Sequence, residues 1–196
     1  MKILAFTDTH GSKRALTKVK EKAKKADIVI CAGDITIFSQ DLDKILKELN
    51  KLKKPVLIIP GNHELQEEIK HAASKLDNIY PIHNSKFKFN DVLFIGYEGD
   101  GFSLKDSGFR KASKKFEKWV KKHEKVILVT HAPPYGTKLD QLMDDYCGNK
   151  DIRKFIEKHD IKIAISGHIH ENEGKRDKIK NTVVINPGPF GKIINI

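Results

Sequence analysis

Short apolar runs recur along this chain, and the polar residues that end them are of one chemical kind. Residues 2–7 run into Asp8-Thr9-His10, residues 27–32 into Gly33-Asp34, and residues 56–60 into Gly61-Asn62-His63-Glu64. Residues 126–130 run into His131, and residues 161–166 into Gly167-His168-Ile169-His170. Runs of this length and composition predict buried strands. Between the early ones the apolar period changes. Ala15, Leu16, Val19 and Ala23 recur at helical spacing behind Ser12, a candidate N-cap. Leu42, Ile45, Leu46 and Leu49 repeat the pattern before Pro55, and Leu65, Ile69, Ala72, Ala73 and Leu76 repeat it again. Three such βα units predict neighbouring parallel strands joined by right-handed crossovers.

The middle of the chain reads differently. Phe87 and Phe89, followed by residues 92–97, predict a short hairpin around Asn90-Asp91. The glycine-bearing stretch 96–101 is either a mobile lid or an irregular connection. Phe109, Ala112, Phe116, Trp119 and Val120 mark one helix, and Ile152, Phe155 and Ile156 another. Residues 182–186 and 192–196 predict two more strands around Asn186-Pro187-Gly188-Pro189. Alternation that gives way to a strand-rich end predicts an α/β fold: a four-layer αββα sandwich, two mixed β-sheets packed face to face with helices outside. With 196 residues, and neither repeat nor linker, the expectation is a single domain over 1–196.

Composition narrows the classes. No apolar stretch approaches the roughly 20 residues that span a bilayer. The apolar start is shorter than the roughly 7–15 residues of a signal-peptide core, so it reads as a strand in a cytoplasmic protein without a membrane partner. Cys31 and Cys147 are too few for a disulfide framework. A net charge of +11 raises nucleic acid as a partner. Yet Lys18, Lys20, Lys22, Lys24 and Lys25 read as a solvated helix face, and no arginine cluster or row of exposed aromatics accompanies them. The positive charge would instead concentrate a small phosphorylated substrate. Abundant Lys, Glu and Ile, with few Met and Cys, also resembles proteins of thermophiles.

In an open α/β sheet, ligands gather at the carboxyl ends of the strands. Asp8, His10, Asp34, Asn62, His63, His131, His168 and His170 would therefore converge there, more ligand than one metal needs and enough for two. Singly, each has a plain structural explanation. Asp8 suits an Asx turn, and Asn62 suits the N-cap of a helix over 64–76. His71, His83, His123 and His159 lie away from strand ends and read as surface histidines without partners. Asp34 follows Gly33, which leaves room for close approach, and a carboxylate can join two cations. His63, adjacent to Asn62, points elsewhere and is free to act as phosphate contact or general acid. Tyr135, Lys138 and Asp140 are candidate pocket residues, although Asp140 reads better as the cap of a short helix at 141–143. Mixed imidazole and oxygen ligands favour Mn, Fe, Zn, Ni or Co over Mg or Ca.

These motifs, in this order, resemble the calcineurin-like metallophosphoesterase superfamily. His131-Ala132-Pro133-Pro134 with Lys138-Leu139-Asp140, and Gly167-His168-Ile169-His170-Glu171, look most like its small single-domain branch, found in archaea and related to class III-type phosphodiesterases. The resemblance implies one metal held by Asp8, His10 and His170, a second held by Asn62, His131 and His168, and Asp34 bridging them. It implies two divalent ions, Mn foremost, and catalytic roles for Asp34 and His63. The reaction it implies is phosphoester hydrolysis, foremost of diesters, by in-line attack of a metal-bridging hydroxide with His63 at the scissile phosphate. A nuclease and a catalytically silent protein-binding scaffold of the same fold are the alternatives, and a homo-oligomer is left open. Thr7 and Thr9 depart from the commoner neighbours of Asp8, and neither is expected to be a ligand.

Overall fold

Strict alternation of side chains along the strands sorts the apolar residues into layers. The computed structural model describes residues 1–99 and 101–196. The first part of the chain gives β1 (Lys2–Phe6), α1 (Lys13–Ala23), β2 (Ile28–Cys31), α2 (Leu42–Asn50), β3 (Val56–Ile58), α3 (Gln66–Ala73) and β4 (Ile79–Pro81). The middle gives β5 (Ser85–Phe89), β6 (Val92–Tyr97), α4 (Ser107–Val120), β7 (Lys125–Thr130), β8 (Gln141–Leu142) and β9 (Asp145–Tyr146). The remainder gives α5 (Lys150–Lys158), β10 (Ile163–Ile165), β11 (Arg176–Ile179), β12 (Thr182–Ile185) and β13 (Lys192–Asn195).

One sheet has the order β13-β1-β2-β3-β4, and the other β11-β12-β10-β7-β6-β5. Strands β1 to β4 run parallel, with β13 antiparallel on the β1 edge. In the second sheet β12, β10, β7 and β6 are parallel, and β11 and β5 close the edges antiparallel. Ile3, Ala5, Ile28, Ile30 and Leu57 face Phe94, Ile127, Val129, Ile163 and Ile165 across the sheet interface. Their alternates Leu4, Phe6, Val29, Val56 and Ile58 face Val19, Leu46 and Ile69 of the first three helices. On the far side, Leu93, Ile95, Val126 and Leu128 pack on Phe109, Phe116, Ile152 and Phe155. Each fully buried side chain of this kind contributes about 1.5–3 kcal/mol. The layering is helix, sheet, sheet, helix, as expected.

Several local expectations change. The third helix starts at Gln66 rather than 64, and Asn62 does not cap it. Glu68 accepts instead from the Leu65 amide at 3.2 Å. The helix expected at 141–143 is the strand pair β8–β9, and Asp140 is a fully buried loop tie. Its carboxylate accepts from the amides of Gly136, Thr137 and Gly148 at 2.9, 2.6 and 2.9 Å. Three of the histidines read as partnerless have partners. His83 Nδ1 accepts from the Glu98 amide at 2.9 Å, His123 Nδ1 lies 2.9 Å from the Trp119 carbonyl, and His159 Nε2 lies 3.9 Å from Glu117. Within the stretch 96–101, Asp100 lies outside the described residues. Among the described residues no helix is long and apolar enough to cross a membrane.

Candidate metal centre

The crevice lies where β1, β2, β3, β7 and β10 end, and the backbone there is bent into conformations that side-chain-bearing residues rarely adopt. Asp8, His10, Asp34 and His168 have φ of 53°, 45°, 50° and 74°. A left-handed conformation costs roughly 1–2 kcal/mol per residue outside glycine. It turns each side chain sharply back over its own strand end. Two glycines make the resulting closeness possible. A Cβ at Gly33 would lie 2.6 Å from His131 Nδ1, and one at Gly61 would run into Asp34 Oδ1.

A buried carboxylate fastens two of these turns together. Glu64 Oε1 accepts from the Thr36 amide at 2.8 Å and the Thr36 hydroxyl at 2.6 Å. Its Oε2 accepts from the amides of Asp34 and Gly61, both at 3.1 Å. The sequence singled out Glu64 only as part of a motif. Its position right after Asn62-His63 was the one available signal, because its partners lie up to 30 residues away.

Asp8, His10, Asp34, His131 and His170 come close together with His63, whereas His168 is in none of the close groups found among the described residues. Ligand atoms lie within 4.8 Å of one another in three groups: Asp8, His10 and His170; Asp8, Asp34 and His131; and His10, Asp34 and His63. Asp34 sits between the two halves. Its Oδ2 lies 3.4 Å from His131 Nε2 and 3.9 Å from His10 Nε2, while its Oδ1 accepts from the His63 amide at 3.0 Å. His10 Nε2 and His170 Nε2 approach to 3.0 Å, a spacing that calls for a proton or cation to reconcile two nitrogen lone pairs. Asp8 accepts from the His168 amide through both oxygens, at 3.2 and 3.1 Å. Asn62 is exposed, and it shares a neighbour with His168. A Cβ at Gly101 would lie 2.8 Å from Asn62 Nδ2 and 2.9 Å from His168 Cε1.

The donor set fits cations on two independent counts. His131 Nδ1 lies 2.8 Å from the Ala32 carbonyl and His10 Nδ1 lies 3.3 Å from the Thr36 carbonyl. Each ring therefore donates from Nδ1 and turns the Nε2 lone pair into the crevice, the arrangement of metal-ligating histidines. Moreover, His131 Nε2 and His168 Nε2 are buried without any hydrogen-bond partner among the described residues. Orphaned buried nitrogens of this kind cost about 1–3 kcal/mol unless something binds them.

The charges are strongly coupled. Burial raises the Asp8 carboxyl above its ordinary value, with His131 opposing and Asp34 adding to the rise. Burial acts on Asp34 in the same sense, but the nearby His131, with the His63 amide, outweighs it and holds Asp34 at about 2. For His131 burial favours the neutral ring, and the Asp34 carboxylate lifts it above the ordinary histidine value instead. Burial and the nearby His131 lower His168 to about 4.

His63 is half-buried at the mouth. Its ring stands edge-on to His10 at 5.0 Å and to Phe38 at 4.7 Å, and its Nδ1 accepts from the Phe38 amide at 3.4 Å. Phe38 is 80% exposed. Phe102, 61% exposed, stands 4.4 Å from the His168 ring. An exposed phenyl thus borders the crevice beside each of these two histidines, a feature the sequence reading missed. Neither phenylalanine belongs to an apolar periodic run that would have drawn attention to it.

Known proteins resemble this chain in sequence and in fold. The calcineurin-like phosphoesterase profile matches residues 1–172. An uncharacterised protein of Methanocaldococcus jannaschii is 34% identical over 200 residues, covering 96% of this chain and 88% of that one. A probable glycerophosphodiester phosphodiesterase of Arcobacter nitrofigilis is 26% identical over 159 residues, covering 74% of this chain and 57% of that one. Among solved structures, a dimetal phosphatase from Danio rerio superposes with a TM-score of 0.69 at 13% identity, covering 94% of this chain and 86% of that one. The last is a likeness of fold.

Proposed function

The chain belongs to the calcineurin-like phosphoesterase family and is a metal-dependent phosphoric ester hydrolase; from that premise we propose that it is a phosphodiesterase for small phosphorylated compounds, working with two divalent cations at the strand ends. Asp8, His10 and His170 would hold one cation, Asn62, His131 and His168 the other, and Asp34 both. Mn is foremost for this mixture of imidazole and oxygen, with Fe, Ni, Zn and Co as alternatives. When bound, such a pair lowers the pKa of a shared water and offsets the charge of the phosphate oxygens. The chain's own part is to hold its donors still. The Ala32 and Thr36 carbonyls fix the tautomers of His131 and His10, and Glu64 pins the turns that carry Asp34 and Gly61.

His63 is left for the substrate. Because Nδ1 accepts from the Phe38 amide, the proton of the neutral ring resides on Nε2. From there it can pass to the leaving oxygen, a role typically contributing about 10²–10⁴-fold in rate. Preference for a diester rests on the phenyl groups beside His63 and His168, since a diester has an organic group on either side of phosphorus. Residues 1–196 read as one domain of a cytoplasmic protein.

The observation that carries this reading is Asp34 placed between His10 and His131, with orphaned imidazole nitrogens around it. It is tested by assaying the Mn-, Ni- and Mg-loaded protein on phosphomonoesters, linear diesters, cyclic nucleotides and single-stranded DNA. Faster turnover of small diesters than of monoesters or DNA is expected. Hydrolysis of monoesters alone would refute the diester assignment.

A further inference from the structure

A groove of about 430 Å³ leaves the metal centre at His10 and Gly11 and runs between α1 and α2. Its two walls are single helical faces. Lys13, Leu16, Thr17 and Lys20 repeat at i, i+3, i+4 and i+7 on α1, and Lys44, Ile45, Glu48 and Leu49 stand at i, i+1, i+4 and i+5 on α2. Leu16, Ile37, Ile45 and Leu49 make the groove amphipathic, with a long apolar strip beneath charged rims.

The charges are distributed unevenly along it. Lys20 pairs with Glu48 across the groove at 3.3 Å, which closes the end away from His10. Seven residues of helix, at 1.5 Å each, separate Lys20 from Lys13, so Lys13 stands about 10 Å nearer the centre. Among the described residues neither the Lys13 nor the Lys44 ammonium has an ion-pair partner, and Asp41 is the one acid left to oppose them. An apolar strip with two free ammonium groups suits a substituent that has a flat apolar body and an anionic end. The volume lies within the roughly 300–1,000 Å³ of small-molecule sites.

We propose that the α1–α2 groove is the substrate's substituent subsite, and that it takes a phosphorylated nucleoside-sized group whose terminal phosphate is bound by Lys13 and Lys44. The proposal rests on the phosphodiesterase reading and adds the class of substrate to it. The diester phosphorus lies at the strand ends, the sugar and base lie over Leu16 and Ile45, and the second phosphate meets the lysines.

Two readouts test this. The first is kcat/KM of the Mn-loaded protein for a thymidine dinucleotide with and without a 5′-phosphate, beside a small chromogenic diester. The terminal phosphate should raise kcat/KM about tenfold in the wild-type protein, the order of one good charge contact. That ratio should fall to about one in Lys13→Ala/Lys44→Ala and return in Lys13→Arg/Lys44→Arg. Lys121→Ala/Lys122→Ala removes the same net charge from the end of α4 and should keep the ratio. Equal rates with and without the phosphate in the wild type, or loss of preference in the α4 pair as well, would overturn the proposal.

The second readout is calorimetric binding of adenosine 3′,5′-bisphosphate to the metal-free protein, with affinity expected to fall at least fivefold in Lys13→Ala/Lys44→Ala. Absence of binding would count against the groove. If no diester is hydrolysed while this binding persists and depends on the lysines, the phosphodiesterase reading fails and the subsite stands.

Discussion

His63 and Asp34 are joined by one hydrogen bond, yet they should fail in opposite ways. His63→Ala removes a ring at the mouth but leaves Asp34 Oδ2, His10 and His131 in place. Metal content measured by elemental analysis should hold, while kcat falls by about 10² or more. Asp34→Asn removes a carboxylate oxygen that lies 3.9 Å from His10 and 3.4 Å from His131. It should lose bound metal as well as turnover, and full occupancy would refute its shared role. Glu64→Ala withdraws one buried acceptor from three amides and a hydroxyl. Hydrogen bonds to charged groups contribute about 1.5–3 kcal/mol each and are not additive, so a loss of about 3 kcal/mol in urea unfolding of the metal-free protein is expected. These ligands were legible because carboxylates and imidazoles directly after buried strands have few other uses. Glu64 was not, because its role depends on Thr36, which only the fold brings near.

The strand ends act as units, and their glycines decide how closely two of them approach. Gly61→Ala would drive a methyl group into Asp34 Oδ1. Metal affinity should fall at least tenfold in a competition titration, with the circular dichroism of the folded protein retained. Gly174→Ala, at a positive φ that Gly61 does not share and with nothing within 4 Å, should cost about 1 kcal/mol of stability and leave metal affinity intact. Equal loss of metal in both would mean that general destabilisation, not the Asp34 contact, governs the site. The elements around these glycines were legible where periodicity was long and apolar, as in β1, β2, β7 and α4. Strand β11 was not, since Arg176, Asp177 and Lys178 give no apolar alternation and its pairing with β12 supplies the order. The start of α3 moved because Glu64 is committed to the β2 and β3 ends and cannot begin a helix.

Over the whole molecule, the four layers follow from two strand faces each needing a cover, and so the sandwich could be read from alternation alone. The order of strands could not, because β13 returns from the end of the chain to pair with β1. The assembled fold also sets a pH dependence. Burial, with Lys70 adding to it, lowers His83 to about 4 from an ordinary 6.5. Between those values the unfolded chain holds a proton that the folded chain lacks, so this group's contribution to stability falls as pH drops from 6.5 toward 4 and levels off below. His83→Asn retains an acceptor for the Glu98 amide without the titration. Urea midpoints of the metal-free proteins at pH 7, 5 and 4 should converge or cross as pH falls, with the variant losing less. Parallel curves would exclude His83 as the source.

The centre itself is tested most directly by anomalous diffraction from crystals grown with Mn. Two peaks roughly 3.5–4 Å apart are expected, with Asp34 between them, His10 on one, His131 on the other, and His63 ligating neither. A single peak, or a cation bonded to His63 and not to Asp34, would contradict the two-metal centre described above.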